Sequence, residues 1–268
     1  MSRIIAVANQ KGGVGKTTTA VNLAACLATA GQPTLLIDCD SQSNATAAIG
    51  FTKDPSRRTL YHALILNESL ERIILKSQVE GLDVVPADKN LAGAAVELVL
   101  SENREYKLQA ALKSLPDKYS FIVLDCPPAL DLLTLNALVA AGAVLVPIQC
   151  EYLALEGVSE LLDTLMRIRR TLNPSLEIEG ILLTMYDERT TLSRQVATDL
   201  RSFFGTQVFQ TLIPRNVRLA EAPSFGKPII FYDTHSKGAE GYTQLAQEVI
   251  TNAEKRAGTG ARSAYSGA

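Results

Sequence analysis

At 268 residues, 47% of them hydrophobic, the chain can bury a substantial core as one large α/β domain or two small ones. A formal net charge of −2 excludes a whole-molecule basic field, so any nucleic-acid binding must come from a local patch. No apolar run approaches the ~18 residues of a membrane span, and Met1-Ser2-Arg3 leads straight into a strand pattern with no signal peptide before Ile4. Cys26, Cys39, Cys126 and Cys150 are widely spread in apolar contexts without metal-ligand spacing. They read as buried small hydrophobes of a soluble protein in a reducing cytosol.

Apolar, mostly β-branched runs predict strands at 4–8, 34–37, 82–86, 121–124, 143–148, 178–185 and 208–213. Helical periodicity fills the gaps at 17–30, 91–100, 106–115, 132–141, 155–172, 193–204 and 241–256. Near-continuous apolar strands imply a sheet covered on both faces, and the alternation implies mostly parallel pairing. The expected fold is a doubly wound α/β sheet with ligands at the carboxyl ends of its strands. Residues 50–80 are weakly patterned and read as short surface helices. One domain over 1–256 is expected, followed by a disordered Gly/Ala/Ser/Thr tail over 257–268.

The stretch Asn9-Gln10-Lys11-Gly12-Gly13-Val14-Gly15-Lys16-Thr17-Thr18 lies between the first strand and the first helix. Strand, glycine turn and helix start is the setting of a phosphate-binding loop, where backbone N–H groups converge on an anion at the positive end of a helix dipole. Lys16 can neutralise β- and γ-phosphate oxygens, and the Thr17 hydroxyl is placed to ligate Mg²⁺. The usual pattern wants glycine where Gln10 stands, and a second lysine, Lys11, precedes the glycine pair. Two later strands deliver carboxylates to the same end of the sheet: Asp38 and Asp40 after the second, Asp125 after the fourth. An acid at such a strand end can hold Mg²⁺ through its water shell.

Five segments together resemble the ParA/Soj partition ATPases, whose phosphate loop is the deviant Walker A form of the P-loop NTPase fold. They are Lys11 to Thr19, Asp38 to Thr46, Leu124 to Pro128, Gln149 to Gly157 and Ile213 to Pro223, and the likeness runs in order over residues 3–255. Ser41 departs from the family, which commonly has proline there. The resemblance implies ATP and Mg²⁺, slow partner-stimulated hydrolysis, and a homodimer that closes face to face around two nucleotides. It implies that Lys11 crosses to the other subunit's phosphates, and that Gly12, Gly13, Val14, Gly15 and Thr18 donate to phosphates beside Lys16. Asp40 would orient the attacking water, while Thr17, Asp38 and Asp125 shape the Mg²⁺ shell. Met185, Pro214 and Asn216 would meet the adenine ring. Arg189 and Arg218 match positions for sequence-independent contact with double-stranded DNA.

From Arg167 to Lys237 there are ten Lys and Arg against seven Asp and Glu, a modest local excess. The implied partner is a ParB-like, centromere-bound activator, the implied task is moving a chromosome origin or plasmid, and the implied place is the cytoplasm at the nucleoid. No membrane association is expected, because Lys255 and Arg256 are too few to dress a membrane-binding helix of the MinD type. The alternative remains a MinD-like or cargo-positioning ATPase acting on a membrane or a protein assembly. An electron-transfer ATPase like the nitrogenase iron protein would need a second cysteine joined to Cys126. His62 and His235 are isolated and read as surface or packing residues.

Overall fold

The structure is a computed structural model that describes residues 2–265 apart from Leu153, with side chains described as far as Arg256, Glu156 excepted. Its strands are β1 (Arg3–Val7), β2 (Thr34–Asp38), β3 (Leu75–Lys76), β4 (Leu82–Val85), β5 (Phe121–Asp125), β6 (Ala143–Gln149), β7 (Glu177–Tyr186) and β8 (Val208–Pro214). The α-helices are α1 (Lys16–Thr29), α2 (Asn44–Ala48), α3 (Leu60–Ile65), α4 (Leu91–Glu97), α5 (Lys107–Lys113), α6 (Leu132–Ala140), α7 (Ala154–Thr171), α8 (Thr191–Phe204), α9 (Val217–Glu221), α10 (Ile229–Tyr232) and α11 (Lys237–Tyr265).

The strands form one sheet in the order β3-β4-β2-β5-β1-β6-β7-β8, parallel throughout except for β3. This is the doubly wound, mostly parallel sheet that the alternating pattern implies. Side chains of a strand point alternately to its two faces, and β1 shows the result. Ala6 joins a core under α3–α8, whereas Ile5 and Val7 join a second core under α1 and α11. All seven predicted strands and all seven predicted helices are present, with ends shifted by a few residues. The four cysteines are free and buried, as expected. Among the described residues no helix is long and apolar enough to cross a membrane.

Two expectations need correction. Residues 50–80 are not merely surface helices: Leu60, Leu64, Leu70 and Ile73 are fully buried, and Leu75–Lys76 adds an antiparallel edge strand beside β4. Elements of two to six residues are too short to display a period, so tertiary burial alone reveals them. The same holds for α2, α9 and α10. The last helix continues past Arg256 to Tyr265, so the backbone is helical over part of the stretch read as a tail. Residues 266–268 lie outside the described ones.

One close approach bears on the site. Gly50 and Gly226 meet backbone to backbone, both with left-handed φ (95° and 63°). A Cβ on Gly226 would lie 2.6 Å from the Gly50 Cα.

Candidate nucleotide site

The phosphate loop leaves β1, the strand between β5 and β6, and enters α1. Gly13 (φ 75°) and Gly15 (φ 89°) occupy the left-handed region, which side-chain-bearing residues adopt at a cost. Gly15 is the residue before α1, and its carbonyl accepts the Thr19 N–H at 2.8 Å. The loop is strapped on both sides. The Asn9 amide donates to the Pro147 carbonyl at 2.8 Å and accepts the Lys11 N–H at 2.9 Å, while the Thr184 hydroxyl donates to the Val14 carbonyl at 2.9 Å. Gln10, in the place of the usual glycine, donates to the Thr164 hydroxyl of α7.

The two lysines face different ways. Lys16 is buried, and its ammonium donates to the Lys11 carbonyl at 2.8 Å across the loop. Burial lowers its pKa, and the charges of Asp125, Cys126 and Asp40 oppose that shift. Lys11 stands on the rim, half exposed, and its ammonium pairs with the Glu151 carboxylate just beyond β6.

The three aspartates converge at the ends of β2 and β5, where Asp38 pairs in register with Asp125. They are not equivalent. Asp38 is filled by protein donors: the Thr46 N–H and hydroxyl at 2.8 and 2.7 Å, and the Asp40 N–H at 3.1 Å. Thr46 in turn accepts from the Ala87 N–H at 3.0 Å, so Asp38 shapes the turn that carries Asp40. Asp40 is buried and accepts the Gln42 N–H at 2.9 Å. Asp125 is fully buried, yet neither of its oxygens has a well-formed hydrogen bond among the described residues.

Burial raises the pKa of both strand-end acids. Asp38 is pushed up to about 6 by desolvation, against the pull of its Thr46 bonds. Asp125 goes well above the ordinary carboxylate range through desolvation and the neighbouring Asp38, opposed by the Thr17 hydroxyl and Lys16. Buried polar atoms are nearly always satisfied. A carboxylate left open beside a threonine hydroxyl at a phosphate loop therefore fits a hydrated Mg²⁺, a cation that takes one or two carboxylates and keeps several waters.

Beside the loop lies a cavity of about 360 Å³ lined by Gly15, Thr18, Met185, Pro214, Asn216 and Tyr242, among others. Met185, Pro214 and Asn216 thus share one wall. Met185 is held at φ 51°, uncommon for a residue with a side chain and typical of functional sites. The Asn216 side chain caps α9 by accepting the Arg218 N–H at 2.8 Å. Arg189 and Arg218 lie outside the cavity, after the neighbouring strands β7 and β8. Each is engaged within the chain. Arg189 is bidentate on Asp187 at 2.9 and 2.8 Å, and Arg218 meets Glu221 at 2.9 Å and Asp233 at 3.5 Å. The Arg189 bonds draw Asp187 down to about 2. His62 accepts the Thr59 N–H at 3.1 Å at the start of α3, so its ring caps the helix.

Sequence reasoning left Asn9, Thr46, Thr184 and Tyr242 unassigned. The first three brace the loop or the aspartates. Asn9, two residues from Lys11, and Thr46, the last residue of the Asp38 to Thr46 segment, carried a local signal.

A family model described as an AAA domain matches residues 2–178. The chromosome partitioning protein ParA of Myxococcus xanthus is 52% identical over 250 residues, covering 93% of this chain and 88% of its own. The sporulation initiation inhibitor protein Soj of Bacillus subtilis is 52% identical over 252 residues, covering 94% and 100%. Among solved structures, cobyrinic acid a,c-diamide synthase of Mycobacterium smegmatis with bound ATP analog and magnesium superposes with a TM-score of 0.83. It is 36% identical, with 95% of this chain and 96% of that one covered.

Proposed function

We propose that this chain, which belongs to the ParA/Soj family of partition ATPases, dimerises around two ATP molecules and in that state binds DNA without regard to sequence. It hydrolyses ATP and uses Mg²⁺. In the proposed cycle, hydrolysis stimulated by a ParB-like centromere-binding protein returns the chain to its DNA-free form. The chain would then sit on the nucleoid when loaded and in the surrounding cytoplasm when not, moving a chromosome origin or plasmid.

The observation that carries this reading is the opposed orientation of Lys11 and Lys16. One ammonium lies at the floor of the loop and serves the chain's own triphosphate. The other stands at the rim, paired among the described residues with Glu151, and a triphosphate on a facing subunit is a stronger anion than one carboxylate.

Within a subunit, Lys16 holds the β- and γ-phosphate oxygens, Gly12–Gly15 and Thr18 donate to them, and Met185, Pro214 and Asn216 hold the base. Asp40 orients the attacking water, and Asp38 holds the Asp40 turn. Thr17 and Asp125 would hold Mg²⁺, which supplies charge neutralisation on the phosphates when bound. Phosphoryl transfer depends on positioning and charge more than on covalent chemistry, so this set is sufficient for slow turnover.

Arg189 and Arg218 are proposed as the DNA contacts. Their ion pairs are solvent-exposed, and such pairs contribute little, so phosphate oxygens can displace the carboxylates. Arg189→Glu or Arg218→Glu is expected to abolish retention of duplex DNA at low salt, read by mobility shift, while ATP binding persists. An unchanged shift would remove both residues from the interface.

The cycle is tested with Asp40→Ala, sized by light scattering with Mg²⁺ and ATP, with and without duplex DNA. Loss of the water-orienting carboxylate should trap the loaded state as a dimer that retains DNA. A monomer indifferent to DNA would leave an ATPase without the proposed switch.

A further inference from the structure

The base cavity and the phosphate loop are joined by a contact between Tyr242, which belongs to no motif, and Thr19, the last residue of the phosphate-loop segment. Tyr242, on α11, lines the cavity and is buried, with 1% of its surface exposed. Its hydroxyl lies 3.1 Å from the Thr19 hydroxyl of α1, a side chain that is also fully buried. Thr19 follows Thr17 and Thr18, and its own N–H is the one that closes on the Gly15 carbonyl. A line of contacts therefore runs from the cavity wall through Tyr242 and Thr19 to the glycine at which the phosphate loop becomes helix.

The helix that carries Tyr242 is itself set close against the other wall. A Cβ on Gly241 would lie 3.2 Å from the Ile213 Cδ1, 3.3 Å from the Leu212 carbonyl oxygen and 3.6 Å from the Pro214 Cδ. A Cβ on Gly238 would lie 2.8 Å from the Leu219 Cγ. The two glycines let the backbone of α11 rest on β8 and α9, which bear Pro214 and follow Asn216. Burial raises the Tyr242 phenol, so it remains a neutral hydroxyl able to donate or accept.

We propose that Tyr242 is a positioning residue that fixes the base cavity and the phosphate-binding helix at one spacing, through its hydrogen bond to Thr19. The proposal rests on assignment of the cavity to the base. Its physical content is that of a linked ligand. When two subsites are held at the separation of the two halves of a ligand, the second half binds at high effective concentration, and this advantage falls when the spacing loosens. Each half taken alone gains nothing from the tie.

The test compares Mg-ATP, Mg-tripolyphosphate and adenosine on the full chain, by calorimetry with competition for the weaker ligands. In Tyr242→Phe the ring still fills the cavity floor while the hydroxyl is lost. The expected result is a fivefold to tenfold weaker Kd for Mg-ATP, about the worth of one hydrogen bond, with tripolyphosphate and adenosine within about twofold of the unmodified chain. Thr19→Val, which removes the other partner, should give the same pattern, and the double variant should be no weaker than either single. Equal losses for all three ligands would reduce Tyr242 to a packing residue, and an unchanged Mg-ATP affinity would remove the tie. An unmodified chain that holds tripolyphosphate as tightly as ATP would overturn the cavity assignment, and the proposal with it.

Discussion

Lys16→Gln is expected to lower ATP turnover at least about a hundredfold, the scale seen when a preorganised charge donor is removed from a developing anion. The glutamine side chain is one bond shorter and gives up the bond to the Lys11 carbonyl, but the loop keeps its straps from Asn9 and Thr184. What is lost is the cation. Lys16 is buried among Asp125, Asp40 and Cys126, and burial already works against its charged form. A desolvated ammonium interacts more strongly with a phosphate oxygen than a surface one does. Single-turnover hydrolysis and calorimetric Mg-ATP binding give the readout. Turnover within tenfold of the unmodified chain would mean that some other group carries the charge.

The second large effect runs in two directions. Asp125→Asn should raise the melting temperature of the nucleotide-free chain at neutral pH by several degrees while abolishing its stabilisation by Mg-ATP. A buried carboxylate is costly, and among the described residues neither Asp125 oxygen has a well-formed hydrogen bond, the Thr17 hydroxyl and Lys16 only partly offsetting its burial. An asparagine amide removes the charge at nearly constant shape. A ligand that binds only the folded state stabilises it in proportion to the logarithm of its concentration over Kd, and that increment should vanish with the carboxylate.

The pH dependence has a definite sign. Asp38, pushed up to about 6, and Glu179, pushed up to about 7, both have folded pKa values above their ordinary ones, with burial the largest cause. The folded chain therefore binds protons that the unfolded chain has released. The stability these two groups contribute is fully present below about pH 4 and is lost as pH rises through these values. Asp125 adds to the same slope, so the asparagine variant should show a shallower decline. A lower melting temperature for the variant at neutral pH would show that the open carboxylate costs the empty chain nothing.

The phosphate loop was legible because its chemistry is local: two lysines and three glycines within six residues, between a strand and a helix, leave few other readings. Asp125 was legible because an apolar run ending in one acid is a strong signature. The division of labour between Asp38 and Asp125 was not, since both end apolar strands. Only the Thr46 donors, eight residues further on, separate a satisfied carboxylate from an open one. The Lys11–Glu151 pair and the Tyr242–Thr19 contact join residues 140 and 223 positions apart, beyond the reach of any local pattern. The buried leucines between 60 and 70 were read as surface because a six-residue helix shows less than two turns of periodicity. Arg189 and Arg218 were found by likeness alone, while the acids that clasp them, Asp187 and Glu221, stand only two and three residues away.

The back-to-back glycines at 50 and 226 leave substitution almost no freedom. A methyl group on Gly226 would collide with the Gly50 Cα, whereas one on Gly12 would meet nothing within 4 Å. The crossing lies between the turn after α2, downstream of Asp40, and the segment after α9, downstream of Asn216. Those two regions therefore share a fulcrum made only of main chain. Drift along a lineage can rewrite the surface on either side of it, but the letter at 226 is pinned by geometry.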